Sequence, residues 1–218
     1  MPFNTVLFDL DGTLIYPFVG ITRSIQYALE RMGAPVPEAA ELKWCIGPPL
    51  WESFAVLLNT QDRDVQDQAV QFYRERYTRE GLFENTLISG IGELVADLTS
   101  MGGTLFVATS KPHAYAGKII EHFGLLEKFR KVYGSELDGT RSAKSELIAY
   151  LLSEEGLAAS DCVMIGDRKH DLIGARANKV ASVGVTWGYG SRSELLGEEP
   201  DAVIDSPAEL GDWLRSEH

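Results

Sequence analysis

The sequence predicts an α/β protein with a doubly wound (Rossmann-like) parallel sheet core and an inserted small α-helical cap domain. Two observations predict the sheet: short apolar runs recur along the 218 residues, and each is followed by a segment with helical spacing. Apolar strands alternating with helices indicate a parallel sheet covered on both faces. A third observation predicts the insertion, because residues 16–83 contain helical patterns but no convincing strand.

The core elements follow in chain order. The predicted strands are TVLFD (5–9), TLFVAT (104–109), KVYG (131–134), CVMIG (162–166) and ASVGVT (181–186). The predicted helices that alternate with them span residues 91–101, 113–123, 143–153 and 170–178. Right-handed crossovers between successive parallel strands then give a doubly wound domain. We assign residues 1–15 and 84–218 to this core domain.

The inserted region, residues 16–83, reads as a helical domain. Its three helical stretches span residues 21–33, 49–58 and 62–81. The third has apolar residues at the spacing of one buried helix face, namely Val65, Ala69, Val70, Phe72 and Tyr73. Gly33 and Gly81 stand where a glycine would end a helix. Because the insertion follows the first strand directly, we expect it to lie over the carboxyl edge of the sheet.

Composition and charge exclude some partners. The net charge of −12 argues against a general affinity for nucleic acid polymers or anionic membranes, whose phosphates attract Lys and Arg. No stretch approaches the run of about 18 apolar residues that a membrane span needs, and no basic segment precedes the first apolar run. Of the two cysteines, Cys162 lies in an apolar run and is expected in the core, and Cys45 shows no partner. A cytoplasmic location is expected; the oligomeric state is not predicted.

Polar side chains follow several of the predicted strands. They are Asp9 and Asp11 after the first, Thr109, Ser110 and Lys111 after the second, Asp167 and Asp171 after the fourth, and Lys144 at a helix start after the third. Ligand sites in open α/β sheets form beyond the carboxyl ends of the strands. We therefore expect these groups to converge on one edge of the sheet.

Their chemistry fits phosphoryl transfer. Converging carboxylates repel one another unless a cation joins them, and hard oxygen ligands suit Mg²⁺ together with a substrate phosphate. An ionised Asp beside such a metal can act as a nucleophile, and a second carboxylate two residues on can act as general acid and then base. A hydroxyl at Thr109 and an ammonium at Lys144 would hold the phosphoryl charge. The set predicts an aspartyl-phosphate mechanism.

Each of these features also has a simpler interpretation. The Asp-Gly pair after the first strand is common in turns, and Thr-Ser after the second strand is a common helix cap. Lys144 in isolation is typical of a solvated helix surface, and Asp167 and Asp171 are favourable at a helix N-terminus. His113 and His170 are expected at the surface. The TWGYG segment either borders the site or packs only its own loop.

The motifs together resemble a known family. DLDGTL (9–14), VATSKP (107–112), Lys144 and GDRKHD (166–171) are similar, in order and spacing, to the four motifs of the haloacid dehalogenase superfamily of phosphatases. The resemblance covers essentially the whole chain. It implies a nucleophile at Asp9, a general acid/base at Asp11, phosphate binding by Thr109 and Ser110, and charge stabilisation by Lys144.

The same resemblance implies a Mg²⁺ site. The carboxylates of Asp9 and Asp167 would bind the ion, as would the backbone carbonyl oxygen of Asp11. Asp171 would support the site without touching the ion, or would contact the ion through a water molecule. The helical insertion is similar to the mobile cap of this superfamily.

A finer resemblance concerns the substrate. YGSELDGTRSAK (133–144), IGPPL (46–50) and GVTWGYGSRSEL (184–195) are similar to phosphoglycolate-phosphatase-like proteins, most of all to a bacterial branch of 5'-nucleotidases. This implies that Gly47, Pro48 and Leu50 contribute to specificity. Tyr16-Pro17 departs from the acidic residue and Ser that members usually have, which concerns hinge behaviour and substrate fit.

These observations support a Mg²⁺-dependent phosphomonoesterase that acts on a small soluble metabolite, such as a nucleoside 5'-monophosphate or phosphoglycolate. A phosphomutase shares the nucleophile and is not excluded by the sequence, whereas a dehalogenase has no use for Asp11. A non-enzymatic phosphoacceptor module remains a further alternative, although it needs neither Asp11 nor a large cap.

Overall fold

The computed structural model describes residues 3–216, so the first and last two residues of the predicted core domain lie outside the described residues. The chain forms two compact units and crosses between them after Tyr16 and after Thr86. Residues Pro17–Thr86 form the helical unit. We call the other unit, which contains the sheet, the α/β unit.

The α/β unit is built on a six-stranded parallel sheet. Its strands are β1 (Thr5–Phe8), β4 (Thr104–Pro112), β5 (Lys131–Ser135), β6 (Cys162–Gly166), β7 (Ala181–Val185) and β8 (Ala202–Ile204). Their order in the sheet is β5-β4-β1-β6-β7-β8, and every neighbouring pair is parallel. The predicted fold class and its five strands are confirmed. The sixth strand escaped prediction because only three apolar residues stand between Asp201 and Asp205.

Short strands β2 (Ile15–Tyr16) and β3 (Thr86–Leu87) stand at the two chain crossings. The helices of the α/β unit are α4 (Ile91–Ser100), α5 (His113–His122), α6 (Lys144–Glu155), α7 (Lys169–Ala177), α8 (Arg192–Leu196) and α9 (Pro207–Arg215). The four predicted helices match α4 to α7 to within two residues. Within residues 3–216, no helix has both the length and the apolar character that a bilayer span requires.

The core of the α/β unit fixes the position of β1. Side chains from one face of the sheet, including Leu7, Phe106 and Met164, pack with Leu147 and Leu151 of α6. Every residue of β1 is buried, as a central strand covered on both faces should be. Because β1 lies between β4 and β6 in the parallel sheet, its carboxyl end lies between the carboxyl ends of those two strands.

The two cysteines are buried free thiols. Cys162 belongs to the core of the sheet, which confirms the prediction, and Cys45 lies in the helical unit.

The helical unit contains α1 (Phe18–Met32), α2 (Leu50–Leu57) and α3 (Arg63–Tyr77), with 3₁₀ turns at Ala39–Cys45 and Gly81–Phe83. Gly33 ends α1 in the left-handed conformation with φ +67°, as predicted.

The prediction for Gly81 is wrong. Helix α3 ends at Tyr77, and Gly81 begins a 3₁₀ turn instead of ending the helix. Its backbone lies so close to Gly20 of α1 that a Cβ atom on Gly81 would stand 2.9 Å from the Gly20 carbonyl oxygen. Close approach of two backbones, and not helix termination, accounts for glycine at this position.

Candidate active site

Asp9 stands at the centre of the sheet's carboxyl edge. It directly follows β1, and its backbone N–H donates to the carbonyl oxygen of Ile165 in β6 at 2.9 Å. The residue is 8% exposed, so its carboxylate is largely withdrawn from water. A carboxylate at this depth requires a charged partner.

Lys144 supplies that partner from the first turn of α6. Its Nζ lies 2.7 Å from Oδ1 of Asp9 and 2.7 Å from Oδ1 of Asp171, and it donates to the Ala108 carbonyl oxygen at 2.7 Å. Burial opposes the charged form, but the carboxylates of Asp171 and Asp9 outweigh burial and raise the pKa of Lys144 above its ordinary value. Lys144 is therefore a permanent ammonium inside the site.

Two further carboxylates follow β6. One carboxylate oxygen from each of Asp9, Asp167 and Asp171 lies within 4.8 Å of the others. Burial and the charges of Asp9 and Asp171 raise the pKa of Asp167 well above its ordinary value. Burial also raises the pKa of Asp171 to about 6, against the opposing effect of Lys144. In their ionised forms, the three acids would carry more negative charge than Lys144 balances.

The hydrogen bonding of these acids fits a hard divalent cation. Oδ2 of Asp167 accepts the backbone N–H of Tyr189 at 2.7 Å, whereas Oδ1 is fully buried and has no hydrogen-bond partner within residues 3–216. Asp171 uses one oxygen for Lys144 and the other for the backbone N–H of Arg168 at 3.2 Å. Asp167 therefore offers a bare oxygen ligand of the type Mg²⁺ prefers, and Asp171 is already engaged.

Glycines surround Asp167. A Cβ atom on Gly12 or Gly188 would overlap the Asp167 carboxylate, and one on Gly190 would overlap the Asp167 carbonyl oxygen. Gly12 also has φ +90°, a backbone conformation that favours glycine. Sequence reasoning did not assign these glycines to the site, although Gly12, Gly188 and Gly190 all stand in the motifs it singled out.

Asp11 is held by Lys111, which the sequence predicted at this edge of the sheet but to which it assigned no role. Nζ of Lys111 lies 2.6 Å from Oδ1 and 2.5 Å from Oδ2 of Asp11, and both side chains are largely buried. Burial raises the pKa of Asp11, although Lys111 acts in the opposite direction. The signal available in the sequence was position, because Lys111 directly follows Thr109-Ser110 at a strand end.

Thr109 and Ser110 reach the same edge through an irregular strand end. The register between β4 and β5 shifts between Thr109 and Pro112. Thr109 is buried, and its Oγ1 accepts the backbone N–H of Lys111 at 3.2 Å. The Ser110 carbonyl oxygen accepts the hydroxyl of Ser135 at 2.8 Å. Irregularities of this kind re-aim side chains at the ends of strands.

The structure thus brings the predicted residues of the α/β unit to one sheet edge. Gly47, Pro48 and Leu50 belong to the helical unit, where Gly47 is exposed and Leu50 begins α2.

The histidine interpretation agrees with the structure. His113 begins α5 with a half-exposed side chain, and its Nδ1 lies 3.4 Å from Glu136. His170 is exposed.

The TWGYG loop borders the site, which decides between the two interpretations that the sequence left open. The backbone N–H of Tyr189 binds Asp167, and the indole Nε1–H of Trp187 donates to the Thr13 carbonyl oxygen at 3.1 Å.

Comparison with known proteins places this geometry in a family. Residues 6–185 match the family model described as haloacid dehalogenase-like hydrolase. The chain belongs to this family. The family resemblance predicted from the four motifs is therefore confirmed.

Several relatives of this haloacid dehalogenase-like hydrolase span nearly its whole length. It is 50% identical over 214 residues to a 5'-nucleotidase from Pseudomonas aeruginosa, covering 98% of this chain and 96% of the relative. It is 38% identical over 210 residues to tyrosine-protein kinase PtkA from Mycobacterium tuberculosis, covering 96% of this chain and 70% of the relative. The crystal structure of a predicted phosphatase from Clostridium acetobutylicum matches with a TM-score of 0.93 at 39% identity, covering 98% of this chain and 99% of the other.

Proposed function

We propose that the chain is a Mg²⁺-dependent phosphomonoesterase that hydrolyses a small soluble phosphorylated metabolite through an aspartyl-phosphate on Asp9. One observation carries the proposal: Asp9 lies buried beside Lys144 at 2.7 Å, and the neighbouring Asp167 has a buried carboxylate oxygen without a partner within residues 3–216. A nucleophile, a fixed positive charge and a bare oxygen ligand are together what phosphoryl transfer through a carboxylate requires.

In the first step, a carboxylate oxygen of Asp9 attacks phosphorus, and the bond from phosphorus to the leaving oxygen breaks. Asp11 donates a proton to that oxygen, a role for which its raised pKa is suitable. The hydroxyl of Thr109 and the ammonium of Lys144 hold the equatorial phosphoryl oxygens, with Ser110 beside them. The product is a phosphoryl group on Asp9 and a neutral alcohol.

In the second step, water attacks the phosphorus of the aspartyl-phosphate. Asp11, now ionised, accepts the proton of that water, and the bond from phosphorus to Asp9 breaks. Inorganic phosphate leaves and the Asp9 carboxylate is regenerated. Lys111 contacts both oxygens of Asp11, so it fixes the carboxylate that moves protons in both steps.

The groups that would hold Mg²⁺ are the carboxylates of Asp9 and Asp167 and the backbone carbonyl of Asp11. Asp171 would support these ligands without touching the ion, or would contact the ion through water. The chemistry that the ion supplies when bound is neutralisation of phosphoryl and carboxylate charge.

The proposed substrate is a nucleoside 5'-monophosphate, with phosphoglycolate as the second choice. The 50% identity to a 5'-nucleotidase over almost the whole chain supports the first. We propose that the helical unit acts as the cap, with Gly47, Pro48 and Leu50 contacting the leaving group. A small phosphomonoester is then the partner, and neither a nucleic acid polymer nor a membrane is required.

The test is phosphate release from nucleoside 5'-monophosphates, phosphoglycolate, sugar phosphates and pyrophosphate, first with MgCl₂ and then with EDTA. We expect release with Mg²⁺ from nucleoside 5'-monophosphates and none with EDTA. Release that persists in EDTA would contradict the metal assignment. An isomerised sugar phosphate without free phosphate would indicate a mutase. ATP-dependent phosphorylation of a tyrosine peptide without phosphate release from the panel would indicate a kinase.

A further inference from the structure

Three contacts within the α/β unit join the segment before the first chain crossing to the loop at residues 186–190. The indole of Trp187 donates to the Thr13 carbonyl oxygen at 3.1 Å, and the Tyr16 hydroxyl donates to the Trp187 carbonyl oxygen at 2.7 Å. The ring of Tyr16 also meets the ring of Tyr189 edge to face, with centroids 6.5 Å apart. We call Thr13, Tyr16 and Trp187 the indole clamp.

The loop that the clamp holds is the one that touches Asp167. The Tyr189 N–H binds Oδ2 of Asp167 at 2.7 Å, and Gly188 and Gly190 stand so close that a Cβ on either would overlap Asp167. These contacts orient the Asp167 carboxylate so that its other oxygen, Oδ1, is left without a partner within residues 3–216. The position of the loop therefore decides where the bare oxygen points.

The glycine-rich loop at residues 186–190 needs contacts with another segment to stay in one conformation. Gly188 and Gly190 flank Tyr189, and glycine backbones have more conformational freedom than those of any other residue. Trp187 is fixed from two sides, through its indole by Thr13 and through its carbonyl by Tyr16. The Gly12 N–H donates to the Ile15 carbonyl oxygen at 2.8 Å, which closes a tight turn just after Asp11; Thr13 lies within this turn and Tyr16 directly follows it. The clamp thus connects the two segments that hold the site's carboxylates.

We propose that Tyr16 and Trp187 are positioning residues that orient Asp167 for a divalent cation. The inference rests on the metal site of the proposed function. Residues that contact a metal ligand, but not the metal, fix the orientation of that ligand. Their loss typically lowers metal affinity by about 10-fold to 100-fold. Neither side chain is assigned a contact with substrate or metal. Their effect passes through the Tyr189 N–H and the backbone of the glycine loop.

The experiment measures Mg²⁺ binding to the substrate-free protein. The midpoint of thermal unfolding is followed across a MgCl₂ titration at constant ionic strength, which yields a Kd for each variant because a ligand of the folded state raises the midpoint. Trp187→Phe removes the indole donor and keeps a ring, and we expect its Kd to rise about 10-fold. Tyr16→Phe removes only the hydroxyl, and we expect its Kd to rise about 3-fold, as one ordinary hydrogen bond provides.

Tyr133→Phe is the matched control. The Tyr133 hydroxyl donates to Glu155 at 2.6 Å, and Glu155 is the last residue of α6, at the opposite end of the helix from Lys144. Like Tyr16→Phe, this variant loses one hydrogen bond donated by a tyrosine hydroxyl, so its unfolding midpoint should fall while its Mg²⁺ Kd stays at the wild-type value. Saturating Mg²⁺ should restore the kcat of Tyr16→Phe, which a general loss of structure would not allow.

Two outcomes overturn the inference in distinguishable ways. If the wild type binds Mg²⁺ and neither clamp variant changes the Kd, the clamp does not position Asp167 and the proposed function stands. If the wild type binds no Mg²⁺ at all, the metal assignment of the proposed function fails and the inference fails with it.

Discussion

Two groups of charged side chains, one in each unit, differ in their charge balance. The carboxylate cluster of the α/β unit consists of Asp9, Asp167, Asp171 and Lys144. The arginine–glutamate cluster of the helical unit consists of Arg23, Arg76, Glu80 and Glu84. The first sets three acids against one base, and the second sets two acids against two bases.

The arginine–glutamate cluster satisfies its own hydrogen bonds. Arg76 donates to the two carboxylate oxygens of Glu84 at 2.8 and 3.0 Å, and Arg23 donates to Glu84 at 2.8 Å. The hydrogen bond from Arg76 lowers the pKa of Glu84 below its ordinary value. This cluster therefore favours the charged state of its acid and contributes to the stability of the fold.

The carboxylate cluster disfavours the charged state of Asp167 and Asp171 and does not contribute to the stability of the fold. Burial and neighbouring acids raise the pKa of Asp167, and one oxygen of that residue lacks a partner within residues 3–216. Such an arrangement costs stability in the metal-free protein, and strained, charge-imbalanced sites of this kind concentrate where chemistry occurs. The comparison teaches that charge imbalance, and not the presence of buried charge, distinguishes the candidate active site from a structural ion pair.

The largest effect is expected from Asp9→Asn, which removes the proposed nucleophile. We expect kcat for a nucleoside 5'-monophosphate to fall by about 10⁴-fold or more. The unfolding midpoint without metal should stay the same or rise, because one of three mutually repelling carboxylates is neutralised. The exposed Asp97→Asn variant in α4 is the control and should keep full activity. A large loss of stability in Asp9→Asn would contradict the charge imbalance that we assign to the carboxylate cluster.

Lys111→Met tests a balanced pair inside the same site. If Lys111 holds Asp11 for proton transfer, its loss should reduce kcat/KM for an alkyl phosphate, which reports the first step alone, by about 100-fold, within the range of general acid–base catalysis. The kcat/KM for p-nitrophenyl phosphate should fall much less, since its leaving group needs no proton. Rates measured on both substrates check this, with the exposed Lys118→Met as control. Equal losses on the two substrates would mean a structural role only.

Gly188→Ala tests how closely the cluster is packed. The added Cβ would overlap the Asp167 carboxylate, so we expect Mg²⁺ affinity to fall by about 10-fold or more. Gly117→Ala in α5 is the matched control, because a Cβ there meets nothing within 4 Å. That substitution should raise stability by about 0.5–1 kcal/mol and leave Mg²⁺ binding unchanged. Calorimetric Mg²⁺ titration of both variants decides the matter, and equal affinities would contradict the packing.

The smallest expected effect is on the free energy of unfolding when one acid in each cluster is replaced by its amide. The sign of this effect differs between the two clusters. In EDTA near pH 7, Asp167→Asn should stabilise the protein by about 1 kcal/mol or more, because an acid whose pKa is raised in the folded state lowers stability at any pH where the unfolded chain would ionise it. This gain should shrink as the pH falls below the raised pKa and vanish below the ordinary pKa of an Asp. Glu84→Gln should destabilise by about 1 kcal/mol, and that loss should shrink only as the pH falls through the lowered pKa.

Urea unfolding of the wild type and both variants between about pH 8 and about pH 4 measures these differences. Destabilisation by both substitutions at neutral pH would remove the distinction between the clusters.

The sequence predicted the parts of the fold that have a strong local pattern. CVMIG is a continuous apolar run and TVLFD has an apolar centre, and each gave a buried central strand, β6 and β1. Strand β8 has three residues and α8 has five, too few for a period to be recognised. Helix α9 carried an unused local signal, because Ser206 caps it and Pro207 occupies its first turn.

The sequence also indicated most residues of the candidate site, because the motifs mark the ends of strands that a parallel sheet must bring together. It did not indicate which charges meet. The contact between Lys111 and Asp11, and the packing of Gly12 and Gly188 on Asp167, join residues far apart in the chain. Such contacts depend on side-chain direction and loop position, which no local pattern specifies.

In the proposed mechanism, Asp9 carries the phosphoryl group during turnover. The most direct measurement is acid quenching during steady-state turnover of a nucleoside 5'-monophosphate with Mg²⁺, followed by mass spectrometry of the digested protein. We expect one added phosphoryl group on the peptide that contains Asp9, more of it in Asp11→Asn and none in Asp9→Asn. Phosphate release with no phosphorylated peptide, or with the group on another residue, would contradict it.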